Sequence, residues 1–116
     1  IFNHLETTYH TPVVFCSTLQ ANKIVSHLGE EENEYLRFES AVYWREVGII
    51  FVFDFDNKLE LIETLFHEFR HVMQDHNPIF RHYFETDKKL PYRERITEID
   101  AFKYAKEKIN EYVMAI

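Results

Sequence analysis

A single cysteine, Cys16, excludes an internal disulfide, and a chain so poor in thiols suits a reducing, cytoplasmic compartment. Cys16 itself reads as a small buried apolar residue at a strand end. Two glycines and three prolines in 116 residues leave too little for collagen-like repeats, flexible linkers or extended disorder. No internal repeat shows at any useful period. The longest purely apolar run, residues 49–53, is far shorter than the roughly 18 residues a membrane helix needs, so a soluble protein is expected. Positive charge is scarce too. Thirteen Lys and Arg stand against 20 Asp and Glu, for a formal charge of −7, and scattered cations disfavour nucleic acid as a partner. The chain opens on Ile1 without Met and without the basic start and apolar core of a signal peptide, so a segment trimmed from a longer chain is expected.

What is present is apolar and aromatic: 46% hydrophobic residues, with eleven Phe and seven Tyr. That supplies one core for one domain over residues 1–116, large enough to bury roughly two thirds of its unfolded surface. Ile1 and Leu5 share a helical face over residues 1–10, closed by Pro12. Val13, Val14 and Phe15 form a short strand. Ser17 is a plausible N-cap for a helix that Gly29 stops, and the acidic stretch 30–34 reads as a solvated turn. Residues 35–44 and 48–55 read as a strand pair turning at 45–48, with Ile49, Phe51, Phe53 and Phe55 on one face and Ile50, Val52 and Asp54 on the other. A helix over about 59–74, capped by Asp56 or Asn57, carries Ile62, Leu65, Phe66, Phe69 and Met73 as its core stripe. Asn77-Pro78 ends it, a short helical turn over 79–84 follows, and Pro91 starts a last helix running to about Met114. Ile96, Ile99, Phe102, Ile109 and Val113 are its expected buried side. The fold class is therefore α+β, a short, mainly antiparallel sheet packed against helices.

The chemistry concentrates in His67-Glu68-Phe69-Arg70-His71. On a helix of 3.6 residues per turn, His67 and His71 project from one side about 6 Å apart along the axis, so two imidazoles can hold one metal ion. Glu68, about 100° round, reaches a water on that metal without becoming a ligand. A catalytic zinc site needs three protein ligands and one open position. Glu94, Glu98, Ala101 and Ala105 make a stripe on the last helix, two acids and two small residues in a face suited to close packing. Glu98 is the preferred third ligand and Glu94, one turn earlier, the alternative. Tyr83 and His82 are candidate oxyanion donors, and Asp75, one turn past His71, is a candidate orienter of a ligand imidazole.

Glu98-Ile99-Asp100-Ala101-Phe102-Lys103-Tyr104-Ala105 resembles the E-x-x-A-x-x-[FY]-A segment that follows H-E-x-x-H in ImmA/IrrE-like metallopeptidases, small gluzincin-like enzymes. The order of strand pair, motif helix and Glu-bearing helix is similar, and the likeness spans residues 42–105. It implies that His67, His71 and Glu98 bind Zn2+ and that Glu68 is the general base. Arg70 departs from the small residue common in that family before the second His. Members tend to be intracellular proteases that cleave a regulator, often encoded by phages or mobile elements. The implied partner is thus a protein or peptide substrate such as a transcriptional regulator, laid as an added strand along the edge of the sheet that contains residues 48–55. Two other readings fit the same sequence: a catalytically silent, metallopeptidase-like binding protein, and an acidic inhibitor that mimics DNA.

Overall fold

The structure, a computed structural model, describes residues 10–34, 36 and 39–115. The helical end expected over residues 1–10 lies, but for His10, outside them. The element order is β1 (Val13–Phe15), α1 (Thr18–His27), β2 (Ala41–Trp44), β3 (Ile49–Val52), α2 (Lys58–Asp75), α3 (Pro78–Asp87), a 3-10 turn (Tyr92–Glu94) and α4 (Ile96–Ala115). This is a small α+β fold.

Local chemistry sets most of these boundaries. Ser17 Oγ accepts from Gln20 N at 3.1 Å while Gln20 Oε1 accepts from Ser17 N at 2.9 Å, a reciprocal box that starts α1. Gly29, at φ +90°, takes the left-handed turn that ends it, where a side chain would be strained. Gly48, at φ +67°, does the same service between β2 and β3, its N–H reaching Trp44 O at 2.9 Å. Asn57, rather than Asp56, caps α2 through Glu60 N at 2.9 Å. Asn77 caps α3 through Ile79 N and Phe80 N, with Pro78 in the first turn, where its missing N–H costs nothing.

The sheet order is β1-β3-β2, with β1 parallel and β2 antiparallel to β3. The sheet is therefore mixed, not mainly antiparallel as expected, because Val13–Phe15 joins it as a third strand. β3 lies in the middle. Both its edges are paired, so no peptide can add to it, and the expectation of a docking edge on that strand is overturned. The alternation along β3 holds. Ile50 and Val52 face Ile62, Leu65, Phe66, Phe69 and Val72 of α2, while Phe51 packs with Ala21 and Val25 of α1.

Four further expectations are corrected. α3 runs ten residues, not a single turn over 79–84: the Asn77 cap and Pro78 set its start, and it continues through Glu85, Thr86 and Asp87. The last helix does not begin at Pro91. Arg95 is extended, and the start of α4 is capped across space by Asp87, whose Oδ2 accepts from Thr97 N at 2.9 Å and Thr97 Oγ1 at 2.8 Å. The buried side of α4 is also different. Thr97, Ala101 and Ala105 are buried, whereas Ile99 and Phe102 are each 54% exposed and Ile96 and Val113 are also open. The most extensive contact between elements is α2 against α4, and the small side chains Ala101 and Ala105 lie buried in it. Val72 likewise replaces Met73 in the buried stripe of α2. No helix among the described residues is long and apolar enough to cross a membrane.

Candidate metal centre

The seam between α2 and α4 brings together side chains 27 to 31 residues apart in sequence. His67 Nε2 lies 2.9 Å from Glu98 Oε1, His71 Nε2 lies 3.2 Å from the same oxygen, and the two ring nitrogens lie 3.2 Å apart. An ion in tetrahedral coordination, about 2.0–2.1 Å from each donor, sets those donors about 3.3 Å apart. The triangle of two imidazole nitrogens and one carboxylate oxygen is within a few tenths of an ångström of that spacing. His67, His71 and Glu98 form a cluster that could hold a metal ion.

The cluster's partners shift one another's protonation, His71 toward its charged form and Glu98 toward its ionised form. Burial works most strongly against a charged His71, yet its hydrogen bond to Glu98, the nearby carboxylates and the bond to Gln74 push it up from 6.5 to about 9. Burial would likewise raise Glu98, but hydrogen bonds from His67, His71 and Tyr92 hold it well below the usual carboxylate range. A proton thus does in the metal-free cluster what a cation would do, compensating a carboxylate set between two imidazoles.

Glu68 is only 6% exposed, and its Oε2 has no hydrogen-bond partner among the described residues. Burial pushes its carboxyl above the ordinary range, and the facing histidines only partly offset this. A buried carboxylate with an unused oxygen is costly in structural terms and useful as a proton acceptor. The site opens into a cleft of about 660 Å³, whose lining includes Ala41, Val42 and Tyr43 of β2, Glu68, Tyr92 and Phe102. His67 rests on the ring of Phe102, 4.4 Å between centroids, and His71 lies 6.0 Å from that of Phe84.

The other expected residues are placed as follows. Glu94 is exposed on the 3-10 turn, outside the cluster, because α4 begins only after it. Tyr83 and His82 are ring neighbours of each other on α3, and neither lines the cleft. Asp75 accepts from Tyr43 Oη at 2.8 Å and from Arg45 Nε at 3.1 Å, and touches neither motif histidine. The imidazole partner is its neighbour Gln74, whose Oε1 lies 2.8 Å from His71 Nδ1.

Sequence reasoning missed Gln74, Tyr92 and Asp100. Gln74 was findable, since it stands three residues after His71 on one helix and such residues share a face. Tyr92, which donates to Glu98 Oε1 at 2.8 Å, was not, because the 3-10 turn that aims it has no clear signature. Asp100 receives Arg70 Nε at 2.8 Å and Gln74 Nε2 at 2.8 Å, a bridge that only the helix packing creates.

The chain belongs to the family described as a protein of unknown function (DUF3920), whose model matches residues 1–115. No curated protein and no solved structure matches it.

Proposed function

We propose that this chain, from a family whose description assigns no activity, is a zinc-dependent peptide hydrolase of the ImmA/IrrE-like kind. The observation that carries the reading is the His67–His71–Glu98 triangle beside a buried Glu68 with a free oxygen, at the floor of an open cleft. Two imidazoles and a carboxylate are a donor set that suits zinc with one position left open. Zinc there supplies Lewis acidity, polarising a peptide carbonyl and acidifying water.

The chain's own residues do the rest. Glu68, raised by burial, takes a proton from the attacking water and passes it to the leaving amine. Glu98 would meet the ion as a carboxylate, since hydrogen bonds already hold it well below the usual carboxylate range in the metal-free cluster. Tyr92 lines the cleft where Tyr83 and His82 do not, and its hydroxyl, donating to Glu98 Oε1, orients that carboxylate. β2 is the free edge beside the site, and an extended peptide pairing there would cross the cluster with little demand on its sequence. The substrate class is therefore a peptide or an extended protein segment, such as an exposed stretch of a regulator, in a cytoplasmic setting.

The test compares zinc-loaded wild type with Glu68→Gln on a mixture of randomised peptides, with zinc content measured in both. Cleavage by wild type, loss of cleavage in the variant and equal zinc in both are the expected results. No cleavage by either protein despite bound zinc would point to a silent binding protein, equal cleavage by both would remove Glu68 as the base, and a wild type that binds no zinc would point to an acidic inhibitor.

A further inference from the structure

The motif position before the second histidine carries Arg70, and the proposed hydrolysis gives it no task. Arg70 clamps Asp100 with two bonds, Nε to Oδ2 at 2.8 Å and Nη2 to Oδ1 at 3.3 Å, and lies 4.6 Å over the ring of Tyr104. Asp100 Oδ2 in turn accepts from Gln74 Nε2 at 2.8 Å, and the same amide nitrogen donates to Thr97 O at 2.9 Å. Gln74 is 1% exposed.

An amide's oxygen and nitrogen have nearly the same shape, so its orientation is decided by its neighbours. Thr97 O can only accept, and an ionised Asp100 held by Arg70 can only accept. Turned the other way, Gln74 would set its oxygen against both, leaving a buried group unpaired among acceptors. Its nitrogen must therefore face them, and its oxygen must face His71 Nδ1. An oxygen there needs a hydrogen on Nδ1. Once the other ring nitrogen has given up its proton, its lone pair lies on Nε2, which points into the triangle with His67 and Glu98.

We infer that Gln74 is the positioning residue of the metal centre, fixing the ring and the tautomer of His71, and that Arg70 and Asp100 lock Gln74 in the one orientation that can do so. This rests on the proposed role of His71 as a ligand. The chain Arg70–Asp100–Gln74–His71 passes from α2 to α4 and back, so it also couples ligand orientation to the packing of the two helices. His67 has no such support, since its Nδ1 lacks a partner among the described residues, and it serves as an internal reference.

The experiment uses metal-free protein with nitrogen-15-labelled histidine. In wild type, the Nδ1–H of His71 is expected as a slowly exchanging resonance, whether or not Nε2 is protonated, while His67 gives no such signal. Gln74→Met keeps the length of the side chain and removes the acceptor. It is expected to lose the protected resonance and to bind zinc 10- to 100-fold more weakly in competition with a chelator. Asp100→Asn, at the rim of the network, frees the amide to turn and is expected to give a smaller loss of both signals should Gln74→Met not fold. A variant that keeps the protected resonance, or that binds zinc as tightly as wild type, overturns the inference. A wild type that binds no zinc overturns the metal reading instead, and the resonance still decides how His71 is held.

Discussion

Helix α2 is buried on two sides that solve burial in opposite ways. Toward the sheet it presents Ile62, Leu65, Phe66, Phe69 and Val72, a dry surface in which any well-shaped apolar side chain contributes. Toward α4 it presents Glu68, His71 and Gln74, each 6% exposed or less, in a seam where every polar atom needs its particular partner. The first side makes the fold. The second keeps one carboxylate oxygen and one imidazole nitrogen unpaired inside it, a cost that a purely structural helix would shed.

The contrast can be broken from either side. The largest expected effect is on catalysis. Glu68→Gln should lower zinc-dependent cleavage by roughly 10²- to 10⁴-fold, the usual contribution of a general base. Because it removes a buried charge, the same change should leave the unfolding midpoint of metal-free protein unchanged or raise it. A clear fall in that midpoint would contradict the account of Glu68 as costly to the fold. On the apolar side, Leu65→Ala should cost about 2–5 kcal/mol in denaturant unfolding, since Leu65 is 0% exposed in the main cluster. A cost below 1 kcal/mol would mean that this face tolerates a hole and is not the core described here.

A third expectation concerns pH. A histidine whose folded pKa is raised from 6.5 to about 9 contributes stability that is complete below pH 6.5 and lost as pH rises through 9. Glu98, held low, has the opposite dependence: its contribution is present above 4.5 and lost as pH falls. Chelator-treated protein should therefore be most stable between these limits and weaken from pH 6.5 to 9, at up to about 1.4 kcal/mol per unit of displaced pKa. Glu98→Gln should flatten the alkaline slope. A midpoint that climbs over that range would remove the charged His71–Glu98 pair from the description. The smallest of the four effects is Asp87→Ala, which strips the cap from α4 and should cost about 1–2 kcal/mol while leaving zinc content unchanged. Loss of zinc there would show that the start of α4 and the centre are more tightly joined than the geometry indicates.

Much of the fold was legible because its signals are local. The box at Ser17, the turn at Gly48 and the cap at Asn57 each act within four residues. The cluster was legible because helical spacing puts His67 over His71 and an acid followed by small residues marks a close seam. The burial of α4 was misread for a related reason. Its large apolar residues outnumber its alanines, but helix approach is limited by the largest side chain in the interface, so Ala101 and Ala105 took the inside and Phe102 the rim. Glu94 failed to join for want of a helix beneath it, since the cap that starts α4 comes from Asp87, seven residues earlier on another element.

What the sequence determined by itself was the pair of histidines, the acid between them, two candidate acids to meet them, Glu98 and Glu94, and the α+β order of elements. Those follow from periodicity and capping, which are properties of neighbouring residues. What only the tertiary structure decided was that β3 is the central strand, that Asp100 meets Arg70 and Gln74 across the seam, and that Tyr92 and not Tyr83 faces the cleft. Each of these depends on which surfaces of distant segments come within 3 Å, a matter of packing and of satisfying buried polar atoms that no local pattern encodes.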